Sequence, residues 1–305
     1  MQATIVDVGP RDGFQPIGPF IPTATKIDVM RGLYAAGLRR IEVTAFVSDA
    51  AVPQMADAAA VLAEARPLAG LDAQVLVPNA RHAARALAAG ADHIAFVVSV
   101  SERHNRNNVR RTPLESVEEY AGICGGLPQG TRVRLNMATA FDCPFDGAVD
   151  PDDVMTLLDR LVPIQPDAEI ALCDTTGRVT PDRVEALFAR VRAAFPGLPL
   201  AFHGHDTYGL GVANVLAAWS TGVEVFDASI GGLGGCPFAP GATGNVSTED
   251  VAWTLDRMGI ATGLDLDRLL LVAGAVTALP GAAPGGRVRD ALAASARCCG
   301  DKADG

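Results

Sequence analysis

Lysine is almost absent from this 305-residue chain: Lys26 and Lys302 are the only two, and arginine supplies the rest of its 25 basic residues. Aspartate and glutamate number 35, which leaves a formal net charge of −10 at neutral pH. A surface of that sign repels nucleic acid and anionic membranes, which excludes a polynucleotide partner. Aromatics are also scarce, at 5%, too few for a base-stacking platform. No apolar run reaches the roughly 18 residues of a membrane span. The N-terminal segment runs straight into the strand-like "ATIVDV", without the basic and then apolar stretch of a secretory leader. The six cysteines (Cys124, Cys143, Cys173, Cys236, Cys298 and Cys299) contain no CxxC pair. In a chain of this size they do not read as a disulfide framework. The expectation is a cytoplasmic protein, kept in a reducing compartment, with neither membrane nor nucleic acid among its partners.

Apolar residues make up 49% of the chain, ample for a large core at this length. Eight short apolar runs rich in β-branched residues read as strands: Thr4–Val8, Arg40–Phe46, Ala73–Pro78, His93–Ser99, Arg132–Ala140, Glu169–Asp174, Leu200–Asp206 and Val225–Ile230. Most lack strict alternation, as expected of parallel strands buried on both faces. Helical patterns lie between them, at roughly 23–37, 50–66, 80–90, 113–125, 151–163, 180–194, 209–221 and 247–258. Thr112, Asp150 and Thr180 each precede a proline and read as helix N-caps, with Glu115 completing a capping box after Thr112. Glycines in "AAGL", "AAG" and "STG" close helices. Eight strand-then-helix units predict an α/β fold, a (β/α)8 TIM barrel over residues 1–262. The rival doubly wound sheet lacks its signature here, because no GxGxxG follows the first strand. Residues 263–305 read as a helical extension packed on the barrel, its two segments separated by "PGAAPGGR".

Barrel chemistry sits on the loops that follow the strands, and the unusual polar residues fall there. Arg11 and Asp12 follow the first strand in "GPRDG", where Gly9, Pro10 and Gly13 fix the backbone. Glu42 lies in the second strand and could pair with Arg11 to orient it. Asn136 lies in the fifth strand, Asp174 ends the sixth, and Asn245 follows the eighth. His203 and His205, two of only five histidines, stand at positions i and i+2 of the seventh. Such residues share a face, with Cα atoms about 6.5 Å apart. Two imidazoles at that reach can take adjacent positions on one metal ion; a hydrogen-bonded pair of core histidines is the alternative. A carboxylate, two imidazoles and an amide carbonyl suit a six-coordinate divalent ion, Mg²⁺, Mn²⁺ or Co²⁺, better than a closed zinc site. Cys236 sits among six glycines between Gly231 and Gly244, a composition that fits a flap closing over substrate and carrying a thiol able to transfer a proton. The basic stretch Arg103–Pro113 reads either as a receptor for a phosphorylated ligand or as a solvated loop and helix start.

With these residues in view the chain resembles the hydroxymethylglutaryl-CoA lyases over nearly its whole length. The resemblance runs from "VDVGPRDGFQ" through "IEVTAFVSDAAVPQMAD", "DCPFDG", "DTTG" and "HGHDTYG" to "GGLGGCPFAPGATGN". It implies a divalent cation held by Asp12, His203, His205 and Asn245, with Arg11 on the thioester carbonyl and Cys236 on the closing loop. It implies Arg11, Asp12, His203 and Cys236 as the catalytic group, and a homodimer. Glu42, Asn136 and Asp174 are expected, with Arg11, to line the substrate. The implied reaction is retro-Claisen cleavage of a CoA thioester to acetyl-CoA and a 3-oxo acid. The alternative is a condensing transferase of the isopropylmalate or homocitrate synthase type, against which the cysteine loop counts. Two stretches depart from the family pattern: Pro16-Ile17 stands where Asn-Glu is common, and Asn136-Met137 where a "GYVS"-like stretch is common. Both are expected near the acyl end of the substrate, so the acyl group is left open to related 3-hydroxyacyl-CoA esters.

Overall fold

The computed structural model describes residues 2–235 and 244–300, with the side chains of the last helix described through Ser295. Eight parallel strands form a closed barrel. They are β1 Thr4–Asp7, β2 Arg40–Ala45, β3 Asp72–Val77, β4 His93–Ser99, β5 Arg132–Ala138, β6 Glu169–Asp174, β7 Leu200–Gly204 and β8 Val225–Ala228. Each pairs with its neighbours in the chain, and β8 closes on β1 with Val225 opposite Thr4. Around them lie α1 Thr23–Ala35, α2 Ala58–Ala65, α3 Ala80–Ala88, α4 Glu102–Val109, α5 Pro113–Gly125, α6 Pro151–Leu161, α7 Pro181–Ala194, α8 Gly211–Ser220 and α9 Thr248–Arg257. The (β/α)8 expectation holds.

Local sequence explains most of the boundaries. Thr112 accepts from the Glu115 N–H at 3.1 Å while the Glu115 carboxylate accepts from the Thr112 N–H at 2.7 Å, a complete capping box. The Asp150 side chain caps α6, but Thr180 makes no side-chain cap on α7. Helix α2 starts at Ala58 rather than near residue 50, because a 3₁₀ turn at Pro53–Met55 intervenes. Helix α4 was not expected. Its sequence is polar up to Val109, yet Ser101 caps it by accepting from the His104 N–H, and Asn105 is buried, accepting from the Ser99 N–H at 2.8 Å. The arginines of this stretch are partly neutralised, Arg106 by Glu102 and Arg111 by Glu119.

The two faces of the sheet differ. Toward the helices it presents apolar side chains, among them Ile41, Val75, Phe96, Leu135, Phe202 and Phe226. Toward the barrel axis a small separate cluster of Ala171, Cys173, Ala201 and Val225 leaves room for charge. Arg134 on β5 is fully buried and reaches Glu169 on β6 and Asp227 on β8; Arg40 on β2 reaches Glu169 from the opposite side. Such spans cross the lumen. Strand β5, "RVRLNMA", is an exception to the non-alternating pattern: Arg132, Arg134 and Asn136 alternate with apolar residues, although both of its faces are buried.

Past the barrel, α10 Leu266–Thr277 packs on α1 and α9, and α11 Val288–Gly300 packs on α9. Gly37, at φ 104°, is where α1 turns to meet this segment: a Cβ there would lie 2.4 Å from the Gly263 carbonyl oxygen. Among the described residues no helix is long and apolar enough to cross a membrane, and Cys124, Cys143 and Cys173 are free thiols.

Candidate functional site

The chain leaves β1 through Gly9–Gly13, a single π-type turn. The Gly13 N–H donates to the Val8 carbonyl at 3.2 Å and the Phe14 N–H to the Gly9 carbonyl at 2.9 Å. Turns of this kind carry one extra residue and are frequent at functional sites. Both glycines are required by close approach: a Cβ on Gly9 would lie 2.8 Å from Asp7 Oδ1, and one on Gly13 would lie 2.8 Å from Ser229 Oγ. The turn sets Arg11 and Asp12 side by side, with a 2.6 Å contact between a guanidinium nitrogen and Asp12 Oδ1. Glu42 on β2 accepts from Arg11 Nε at 2.5 Å, as expected of an orienting partner. Burial opposes the guanidinium charge, but Glu42 and Asp12 outweigh it and push the Arg11 pKa above its ordinary value.

Strand β7 delivers the histidines. Their Nε2 atoms lie 3.2 Å apart, and His203 Nδ1 lies 3.0 Å from Asp227 Oδ2. The strand ends at Gly204, two residues short of the expected end, so His205 sits just past it, bridged to Asn245. Asp12, His203 and His205 each offer one ligand atom, all within 4.8 Å of one another. Asn245 joins them: its Nδ2 donates to Asp12 Oδ2 at 2.7 Å and to the Leu233 carbonyl at 3.0 Å.

Two details of this cluster fit a cation. Facing imidazole nitrogens at 3.2 Å need either a proton on one of them or a positive ion between them. Among the described residues Asn245 Oδ1 is buried without a hydrogen-bond partner, a situation that costs about 1–3 kcal/mol unless a ligand takes the lone pairs. The four residues expected as ligands are thus brought together. Burial would raise the Asp12 carboxyl, but Arg11, His203 and His205 outweigh it and hold it below the usual range. Burial and the neighbouring His203 push His205 down to about 4, so at neutral pH it is the neutral base that ligation requires. Burial also works against a charged His203, but the Asp227 carboxylate more than compensates and raises it.

The remaining candidates lie elsewhere. Asn136 is buried on β5 with its Oδ1 accepting from Arg134 Nε at 2.9 Å. The Asp174 Oδ1 accepts from the Gly177 N–H at 3.0 Å, closing the turn after β6. Burial pushes Asp174 up to about 7. Cys236 lies outside the described residues. Two residues of the site escaped the sequence reading, Asp227 on β8 and Arg134 on β5. The signal was present: a charged residue at an alternate position inside an apolar strand has to find a partner across the lumen.

Barrel and cluster together define a class, a (β/α)8 protein with a mixed oxygen- and nitrogen-donor site, able to hold a divalent cation, where the strands end. Comparison with known proteins narrows it. The model of the HMGL-like family matches residues 2–276. The hydroxymethylglutaryl-CoA lyase of Pseudomonas mevalonii is 40% identical over 96% of this chain and 98% of its own length. The (R)-citramalyl-CoA lyase of Chloroflexus aurantiacus is 38% identical over 88% of this chain and 87% of its own. Among solved structures, an HMG-CoA lyase from Acinetobacter baumannii, in complex with coenzyme A and 3-methylmalate, superposes with a TM-score of 0.89 at 36% identity, covering 95% of each chain. The chain belongs to the HMGL-like family and is a carbon–carbon lyase of that family.

Proposed function

We propose that this protein cleaves 3-hydroxy-3-methylglutaryl-CoA, or a related 3-hydroxyacyl-CoA, by retro-Claisen scission to acetyl-CoA and a 3-oxo acid, acetoacetate for the first substrate. The observation that carries this reading is the meeting of Asp12, His203 and His205 within 4.8 Å, with the Arg11 guanidinium 2.6 Å from Asp12. The names of the relatives, lyases of hydroxymethylglutaryl-CoA and of citramalyl-CoA, support a CoA thioester as the substrate class.

Asp12, His203, His205 and Asn245 would hold the divalent cation, Mg²⁺ or Mn²⁺ with Co²⁺ also suited to the donors. When bound, it supplies Lewis-acid charge beside the tertiary hydroxyl and carboxylate of the substrate. Cleavage removes the hydroxyl proton and pushes the electrons of the breaking C–C bond into a thioester enolate. Arg11 stabilises the enolate oxygen with a fixed charge that Glu42 and Asp12 hold in place before the reaction starts. Asp12, whose carboxylate has a second oxygen beyond the one that would hold the cation, accepts the hydroxyl proton. Cys236 then returns a proton to the enolate carbon, which completes acetyl-CoA. Asn136 lies near the acyl end, and the enzyme works as a homodimer in the cytoplasm.

A panel of 3-hydroxy-3-alkylglutaryl-CoA and citramalyl-CoA esters, assayed for acetyl-CoA release with and without Mn²⁺, tests this reading. Metal-dependent release from at least one ester is expected. Release of free CoA from acetyl-CoA plus a 2-oxo acid, with no ester cleaved, would replace the lyase by a condensing transferase.

A further inference from the structure

The inner end of the cation cluster is tied to a ladder of buried charge. His203 Nδ1 meets Asp227 Oδ2 at 3.0 Å. One terminal nitrogen of Arg134 donates to both Asp227 oxygens at 2.7 Å, the other donates to Glu169 at 2.9 Å, and Nε donates to Asn136 at 2.9 Å. Arg40 then closes on Glu169 from across the barrel, with contacts of 2.7 and 2.8 Å. The Arg134 guanidinium is therefore fixed by side chains from three strands and has no exposed surface.

We propose that Arg134 and Asp227 are positioning residues for the cation site: Asp227 sets the tautomer and ring orientation of His203, and Arg134 sets Asp227. The inference rests on the cation site assigned above and goes past it, to groups that touch neither cation nor substrate. The argument is one of donors and acceptors. Both Asp227 oxygens accept from Arg134, and Asp227 Oδ2 also faces His203 Nδ1. A carboxylate can only accept, so the Nδ1 it faces has to carry the hydrogen. That leaves the lone pair of neutral His203 on Nε2, the atom that turns toward His205. Carboxylate–imidazole pairs of this kind fix metal ligands in other proteins, and their loss costs roughly 10- to 100-fold in metal affinity. A purely structural ladder would be a poor choice for the lumen. Branched aliphatic side chains fill barrels of this kind without the desolvation that each buried ion carries.

Asp227→Asn separates this role from packing. The amide keeps the shape of the carboxylate and can still accept from Arg134 through its oxygen. Its NH₂ then faces His203 Nδ1, which has to become the acceptor, and the proton moves to Nε2. Mn²⁺ affinity, read by electron paramagnetic resonance on the folded full-length protein, is expected to fall by roughly 10- to 100-fold. Arg134→Lys keeps the charge but not the fork, and should give a smaller loss. Unchanged Mn²⁺ affinity in a folded Asp227→Asn protein overturns the proposal while leaving the cation site standing. Wild-type protein that binds no Mn²⁺ overturns both. Should Asp227→Asn not fold, ¹⁵N NMR of the histidine rings in Mg²⁺-loaded wild type decides the matter: His203 protonated on Nδ1 supports the proposal, and His203 protonated on Nε2 overturns it.

Discussion

On its outer face the barrel sheet meets the helices through Phe96, Leu135, Phe202 and Phe226; on its inner face the same sheet buries Arg134 and Asp227 and half-buries Glu169. Both regions exclude water, but they are held by different physics. The outer shell is stabilised by apolar area removed from water, a force without direction. The lumen is held by directional contacts, in which each group depends on the one beside it. Small lumen residues, Ala171 and Ala201, make the space in which one arginine can span three strands. Carboxyls divide along the same line. Asp227 and Glu169, where burial is outweighed by Arg134, are held below the usual range, whereas burial pushes Asp7 and Asp174, which have no cation beside them among the described residues, up to about 7. The shell can therefore lose a side chain and keep its chemistry, and the lumen cannot.

Two large truncations test that contrast. Phe202→Ala removes a ring packed edge-on against Phe141 and Phe188 and should cost about 3–5 kcal/mol in urea unfolding. Arg134→Met leaves Asp227 buried without its arginine, while Glu169 keeps Arg40, and should cost a similar ~3–5 kcal/mol. Mn²⁺ affinity of the folded protein separates them: it should stay near wild type in the first and fall in the second. Equal affinities would erase the distinction between the two faces.

Protonation gives a smaller effect of opposite sign in the two regions. Asp7 keeps its proton in the folded state up to about 7, whereas an unfolded Asp titrates near 3.8. Between those values the folded state binds more protons, so stability from this group falls as pH rises. Asp227 runs the other way, and its contribution is lost as pH falls below the unfolded value. Asp7→Asn retains an acceptor for the Gly9 N–H and should be stabilised relative to wild type as pH rises from about 5 to about 7. A pH-independent difference in urea unfolding would contradict the assignment. The smallest effect belongs to the surface: Arg31→Ala, which breaks a half-exposed pair with Glu64, should change stability by no more than about 1 kcal/mol. A larger loss would mean that this pair belongs to a network like that of the lumen.

The outer shell and the clustering of Asp12, His203, His205 and Asn245 were legible in the sequence, and the ladder was not. Eight apolar runs fixed the barrel, since length and β-branching mark buried strands whatever the details of pairing. The two histidines could be placed together because residues i and i+2 of a strand share a face. Asp12 and Asn245 could be gathered with them because every strand of such a barrel ends at the same rim. Arg134 and Asp227 were hidden because β5 and β8 are separated by β6 and β7, so their contact depends on barrel closure rather than on neighbouring residues. Helix α4 was hidden for another reason. It has almost no apolar periodicity and is held by the Ser101 cap and the buried Asn105. The end of β7 was read two residues too far, which obscured the bridge between His205 and Asn245.

Asp12, His203, His205 and Asn245 converge where β1, β7 and the segment before α9 meet, and one divalent cation there would be held by all four. Anomalous diffraction at the manganese edge, from crystals of this protein grown with Mn²⁺, tests it most directly. A single strong peak within about 2.3 Å of Asp12, of both His203 and His205 and of Asn245 Oδ1 is the predicted result. Manganese bound at another place in the same crystals, with the His203 and His205 Nε2 atoms still facing only each other, would contradict it.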